Sequence, residues 1–286
     1  MARQASKNAL DSAYKRKTEE TGDRFWDWGI YGEPGSFKTL AIKNVIESGI
    51  FDLDRVLYVD AERGDATLGD LDVRVLHVKR VQVDMKLNNA WAALQRILNG
   101  LENLAKTEEV YPYDLVVFEG TSLMALWCEE QVVVENQKSR SEMATLPDFR
   151  LIKSRMVQEF FRIKWLPACK IVTARMRTDY DTDLAEIAPG RLVETQKARK
   201  FPQFNPSLAG EFLAIWDVVT RFEYALGEKG RGGGKLEVHA APTVSSIAKD
   251  RYGIFKGFST DPDIADIIRR LDAATGRRNK APVVSE

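Results

Sequence analysis

Apolar positions along the chain fall into short blocks that alternate between continuous runs and helical spacing. Trp26 to Tyr31 is an aromatic-rich apolar run that ends in a glycine-containing loop. From Thr39 onward, Leu40, Ile42, Val45, Ile46 and Ile50 recur at helical spacing and offer one side for burial. RVLYVDAE predicts a strand whose apolar run stops at Asp60, and VRVLHV a second. Asn88 to Ala105 repeats Ala, Trp, Leu and Ile at helical spacing, and DLVVFEG is the third and most apolar strand. A helix is predicted over Met124 to Glu135, an exposed loop over NQKSRSEMATLPD, a basic amphipathic helix over Phe149 to Trp165 and a fourth strand at KIVTAR. The polar stretch from about 178 to 206 predicts a long loop. FLAIWDVVTRFEYAL then passes from helix to strand, and EKGRGGGK is a hairpin tip leading into KLEVHA. Strands alternating with helices predict an α/β fold, with a mostly parallel sheet and helices on both faces. The expected division is a polar N-terminal arm over 1–22, a core over 23–258, and a C-terminal helix and tail over 259–286.

At 286 residues the chain can bury a sizeable core, and 44% hydrophobic with 29% charged residues suits a soluble globular protein. Lys+Arg and Asp+Glu each number 42, so any argument for nucleic acid has to come from local clusters. Cys128 and Cys169 fit no metal spacing and neither needs a disulfide, which points to a reducing cytoplasm. No apolar run reaches the roughly 18 residues of a membrane span, so no membrane partner is expected.

The chemistry begins at Gly32-Glu33-Pro34-Gly35-Ser36-Phe37-Lys38-Thr39. An apolar run precedes it and a helical pattern follows, the setting of a phosphate-binding loop of pattern G-x-x-x-x-G-K-[ST]. Such a loop surrounds a β-phosphate with main-chain N–H groups at a helix start. Its Lys reaches the β- and γ-phosphates, and its Thr hydroxyl holds Mg²⁺. Phe37 stands where the last glycine belongs. It keeps the N–H but lacks freedom of φ and ψ; if position 37 has near-helical geometry, its side chain can point away from the phosphates. ATP hydrolysis also needs a carboxylate near Mg²⁺ and another that orients water. Asp60 and Glu62 at one strand end, and Glu119 at another, are the candidates, with Ser122 and Thr121 near the Mg²⁺ shell. In the polar stretch, Arg191, Lys197, Arg199 and Lys200 lie beside Phe201 and Phe204, a mix of cations and aromatics that suits single-stranded DNA. The acidic TDYDTDLAEIAP half of the same stretch argues the other way, and Lys138 and Arg140 form a weaker second candidate.

Taken in order, these segments resemble the RecA-like P-loop NTPase core. GEPGSFKT is similar to G-D-P-G-T-A-K-S of minichromosome-maintenance helicases, which also lacks that glycine. LYVDAERG resembles F-I-D-A-E-H of RecA, which implies Glu62 as catalytic base. DLVVFEGTS stands at the second acidic motif and implies Glu119, with Asp60 and Thr39, at the metal; direct or water-mediated contact stays open. KIVTARMRTD resembles I-N-Q-I-R-M-K, which implies Thr173 as the γ-phosphate sensor with Arg175 or Arg177 contributing. AKDRYG resembles the K-N-R-x-G of RadA and DnaB-type helicases, implying that Lys249 and Arg251 reach a neighbour's nucleotide. The resemblance spans about residues 26 to 256 and extends to phage-encoded ATPases that include single-strand annealing proteins. It implies ATP and Mg²⁺ as cofactors and single-stranded DNA as ligand. It also implies a ring or filament of identical subunits, a role in phage recombination or replication, and a single-strand binding protein or replisome component as possible partner. A weakly catalytic nucleotide-stabilised scaffold, and a helicase or helicase loader, are the alternatives.

Overall fold

β1 (Asp27–Gly32), β2 (Val56–Asp60) and β4 (Leu115–Glu119) are buried along their whole length, which is why they read as unbroken apolar runs. Within them the side chains still alternate between two layers: Leu57, Val59, Val116 and Phe118 face one, and Val56, Tyr58, Leu115 and Val117 the other. The computed structural model describes residues 25–136, 144–188, 191–225, 235–243, 246–255 and 257–277, with backbone alone at 181–188, 191–197, 225 and 258. The arm over 1–22, Lys138 and Arg140, most of EKGRGGGK and the end of the tail lie outside them.

The helices are α1 (Lys38–Glu47), α2 (Val78–Asp84), α3 (Ala90–Thr107), α4 (Thr121–Glu135), α5 (Leu146–Lys164), α6 (Pro206–Ile215) and α7 (Ile264–Thr275). The remaining strands are β3 (Arg74–His77), β5 (Cys169–Ala188), β6 (Arg191–Pro202), β7 (Val218–Ala225), β8 (Lys235–His239), β9 (Lys249–Asp250) and β10 (Phe258–Thr260). The sheet runs β10-β8-β7-β1-β5-β4-β2-β3, with β7 through β3 parallel and β8 and β10 antiparallel at one edge. Helices α3, α4, α5 and α6 cover one face, and α1 and α7 the other. The fold is thus α/β, with a mostly parallel sheet between helical layers. β5 is inserted between β1 and β4, so the ends of β1 and β4 stand about 10 Å apart. No helix among the described residues is long and apolar enough to cross a membrane.

The fold departs from the sequence reading in two places. Residues 178–202 are not a loop but a two-stranded ribbon. β5 runs on for 20 residues and β6 returns beside it, from Met176↔Pro202 to Ala188↔Arg191. The segment alternates Thr, Tyr and Leu with charges, and Asp179 faces Arg199 while Asp181 faces Lys197 across the pair. Opposite charges stand in register at these positions and alternate with β-prone residues, so no apolar alternation in the sequence marks the strands. The C-terminal segment is also part of the core. β10 crosses the expected boundary at 258, α7 buries Ile264, Ile267, Ile268 and Leu271 in the layer of Trp26 and Trp28, and Trp26 Nε1 donates to Asp272 Oδ1 at 2.8 Å.

Candidate functional site

β1 ends at Gly32, and the chain turns back through Ser36 N–H donating to the Glu33 carbonyl at 3.1 Å. Gly32 must be glycine: a Cβ there would lie 2.3 Å from Ser36 Oγ and 2.4 Å from the Phe222 carbonyl. Helix α1 starts at Lys38 with no acidic residue in its first turn, so its free N–H groups and positive dipole end favour an anion. Phe37 caps it at φ 61°, ψ 19°, a left-handed conformation, so the condition of near-helical geometry at this position is not met. The loop therefore makes the turn a glycine would make, with a residue for which it costs about 1–2 kcal/mol. The Phe37 ring leans on Tyr224 with centroids 4.9 Å apart.

Lys38 folds back over the loop, and Nζ donates to the carbonyls of Gly32 (2.9 Å) and Glu33 (2.8 Å) and to Ser36 Oγ (3.3 Å). Burial drives its pKa down to about 8, against the opposing pull of Glu62 and Glu119. Thr39 Oγ1 donates to one oxygen of Glu119, and the Tyr58 phenol donates to the other. Burial raises the pKa of Glu119, an effect those two hydrogen bonds oppose. Gly64 lies against this carboxylate so closely that a Cβ would fall 2.0 Å from its Oε2.

Glu62 follows the end of β2 and lies across Gly120, which sits at φ 88°; a Cβ there would be 2.4 Å from Glu62 Cγ. Arg175 Nε donates to Glu62 Oε1 at 3.0 Å. Lys38, Thr39, Glu62, Glu119 and Arg175 are thereby gathered at one end of β1, β4 and β5.

Three expected site residues take other positions. Asp60 is buried, and its carboxylate accepts from the backbone N–H groups of Glu62 (2.8 Å), Arg63 (2.7 Å), Gly64 (3.3 Å) and Asp65 (3.3 Å). Both its oxygens accept from the turn that carries Glu62, so Asp60 positions that glutamate, and its Oδ2 also lies 3.5 Å from His77 Nδ1. Thr173 is buried and ties β5 to the start of α4. Its hydroxyl accepts from Gly120 N–H (3.0 Å), and its carbonyl from the Thr121 hydroxyl (2.7 Å). Ser122 Oγ likewise accepts from Arg175 N–H at 3.0 Å. Arg175, two residues beyond Thr173 on β5, is the member of the expected sensor pair that reaches Glu62. Tyr58 is the member the sequence reading missed. Its signal was parity: it lies two residues before Asp60, a phenol in an otherwise aliphatic strand.

The candidate nucleic-acid residues lie along the ribbon. Arg191 and Lys197 are described by backbone alone, opposite Ala188 and Asp181. Arg199 is opposite Asp179, Lys200 ion-pairs with Glu223, and Phe201 lies under the Arg177 guanidinium at 6.0 Å. Phe204 is buried against Phe160 and Phe212, so it is a core residue and no stacking platform. Lys249 Nζ donates to the carbonyls of Leu213 (3.1 Å) and Ala214 (2.9 Å) at the end of α6, and Arg251 Nη1 pairs with Asp217 Oδ1 at 2.6 Å. Asp250 accepts from the N–H groups of Tyr252 (3.1 Å) and Phe255 (2.8 Å), which shapes the turn bearing Arg251. β9 pairs with the start of β7, level with Trp28, so Lys249 and Arg251 lie at the opposite end of the sheet from Gly32. That is about 13 Å along β1, too far to serve the loop of their own chain.

A phosphate-loop sequence on a central parallel strand, a strand inserted beside it, and a buried acid on the next make an α/β core of the P-loop class. Residues 24–252 match the AAA domain family, and the chain belongs to it. Among solved structures, the flagellar accessory protein FlaH from Methanocaldococcus jannaschii is similar at 12% identity and TM-score 0.37, over 76% of this chain and 78% of that one. A KaiC-like protein from Pyrococcus horikoshii OT3 is similar at 12% identity and TM-score 0.36, over 83% and 89%. No curated protein matches.

Proposed function

We propose that this chain hydrolyses ATP in a Mg²⁺-dependent reaction and that it does so as an oligomer engaged with single-stranded DNA. The observation that carries the catalytic part is the convergence of Lys38, Thr39, Glu119 and Glu62 at one helix N-terminus. The loop amides and Lys38 bind the β- and γ-phosphates once Lys38 leaves its carbonyl partners. The donor set fits a hard cation: a Thr hydroxyl and a carboxylate in direct contact, all oxygen. Thr39 would hold Mg²⁺ with Glu119 beside it, and the ion, when bound, neutralises charge on the transferring phosphoryl group. Glu62 orients the attacking water and accepts its proton. For this it must leave Arg175, which is then free to face the γ-phosphate.

Lys249 and Arg251 serve the neighbouring subunit in this reading. Their place at the far end of the sheet supports that role, and their helix-end and Asp217 contacts keep them ordered. The DNA part rests on the ribbon, which continues the strand bearing Arg175 and so links anything gripping it to the site. Its acidic cross-strand partners make this the weaker support. A role in DNA recombination or replication follows from that part alone. The second reading, a nucleotide-stabilised scaffold with slow turnover, is favoured by the Arg175–Glu62 pair, which occupies the base. Turnover of ATP with and without an oligonucleotide decides between them. DNA-stimulated hydrolysis abolished by Glu62→Gln supports the first, and tight nucleotide binding without turnover under either condition supports the second.

A further inference from the structure

β3, β2 and β4 end in one row across the sheet: His77 pairs with Asp60, and Asp60 with Glu119, in the parallel register. Glu119 receives the Thr39 hydroxyl, and Asp60 holds the turn that bears Glu62. The outermost member of the row, His77, has so far no part in the site. Its ring lies between two carboxylates, with Nδ1 3.5 Å from Asp60 Oδ2 and Nε2 3.4 Å from Asp65 Oδ2. Asp60 and Asp65 begin and end the stretch 60–65, so the imidazole bridges both ends of that turn from outside. The imidazolium form carries an N–H on each nitrogen and so matches both carboxylates at once. Without a group between them, the two acids would face each other as like charges.

The turn depends on such contacts because packing does little for it. Of residues 61–65, Ala61 alone is fully buried. Two parts of the site nevertheless take their places from it. Glu62 stands on it and lies across Gly120, and Gly64 presses so closely on Glu119 that a Cβ there would fall 2.0 Å from Oε2. A turn that swings outward therefore displaces the base and opens space beside the metal-facing carboxylate together. The clamp itself is firmly held. His77 ends β3 and caps α2, whose first residue, Val78, is buried in the core.

We propose that His77, resting on the ATP reading above, is a positioning residue for hydrolysis. It ties Asp60 to Asp65, closes the 60–65 turn and so fixes Glu62 against Gly120. It acts through the turn and not on the nucleotide. Its removal leaves ATP binding at the phosphate loop intact and misplaces the group that orients water.

The test pairs amide hydrogen exchange with steady-state ATP turnover on wild type, His77→Phe, His77→Gln and the double variant His77→Phe with Asp65→Asn. Phe keeps a ring and lacks both N–H groups. In His77→Phe the amides of Glu62, Arg63 and Gly64 are expected to lose protection while those of β1 and β4 keep theirs. Its kcat falls by about 10- to 100-fold, the scale of a misplacement of about 1 Å, with KM for ATP unchanged. Gln retains amide donors and keeps part of both quantities. Adding Asp65→Asn to His77→Phe removes one of the two facing charges and recovers part of the protection and of kcat, whereas two unrelated structural losses would add. Unchanged exchange at these amides in His77→Phe overturns the clamp, whatever turnover does. Lost protection with unchanged kcat overturns the positioning role, and so does a double variant as impaired as His77→Phe. A wild type that does not hydrolyse ATP overturns the ATP reading and the catalytic role with it, while the exchange data still decide whether the clamp exists.

Discussion

Replacing Lys38 with Met is expected to stabilise the free protein while abolishing nucleotide binding. The ammonium is brought into a largely desolvated position, and its pKa falls from 10.5 to about 8. That shift disfavours the charged form by roughly 3 kcal/mol. Lys38 is only partly buried, so solvent screening reduces the figure to about 1–2 kcal/mol. Met fills the same channel without a charge. The thermal midpoint then rises by about 2–8 °C, taking roughly 2–4 °C per kcal/mol for domains of 150–250 residues. The pH dependence gives an independent check of sign. Between about pH 8 and 10.5 the unfolded chain holds the lysine proton and the folded chain has released it. Wild type therefore gains stability as pH rises through that window, and below pH 8 the penalty is constant. Lys38→Met lacks this gain, so the two proteins converge toward pH 10.5. Calorimetric scans at pH 7, 8, 9 and 10 measure it. A variant less stable than wild type at pH 7, or a gap that does not close with pH, refutes the claim that the loop holds a destabilised cation for a ligand to neutralise.

Further outcomes follow from the same geometry. Asp60→Ala releases the four N–H groups that its carboxylate holds and is expected to cost about 2–4 kcal/mol in chemical denaturation, with Asp60→Asn intermediate. A turnover loss without a stability loss would instead support a direct role for Asp60 at the metal. Thr173→Val strips the acceptor from buried Gly120 N–H, with an expected cost of about 1–3 kcal/mol and a kcat that falls less than in Arg175→Ala; the reverse order would restore the sensor role. Mixing Lys38→Met with Arg251→Ala tests the cation supplied between subunits. A mixture regains part of wild-type turnover although each variant alone is inactive, and a mixture as inactive as its components counts against it.

How far the sequence reached can be judged element by element. The buried strands β1, β2 and β4 were legible because both their faces are apolar, and α1 because its buried side repeats at helical spacing. The phosphate loop was legible despite Phe37, since Gly32, Lys38 and Thr39 keep their spacing. The conformation of Phe37 was not, because a residue's φ is set by the closing geometry of the whole turn and here overrides its own preference. The ribbon of β5 and β6 escaped notice because strand alternation is recognised by an apolar face, and this pair carries charges across its register instead. Asp60 and Thr173 show the limit for site residues. A carboxylate at a strand end can hold a metal or backbone N–H groups, and the N–H contacts of Asp60 arise only from the path of residues 61–65. Tyr58 was hidden for a related reason. Its phenol matters through Glu119, 61 positions away in the chain, and that contact exists only once β2 and β4 pair.

The most direct measurement is isothermal titration of the wild-type protein with ATP in the presence and absence of Mg²⁺, alongside Lys38→Met. The account predicts saturable binding at one site per chain that strengthens with Mg²⁺ and disappears in the variant. No heat of binding in wild type at millimolar ATP and Mg²⁺, or equal binding in the variant, would contradict it.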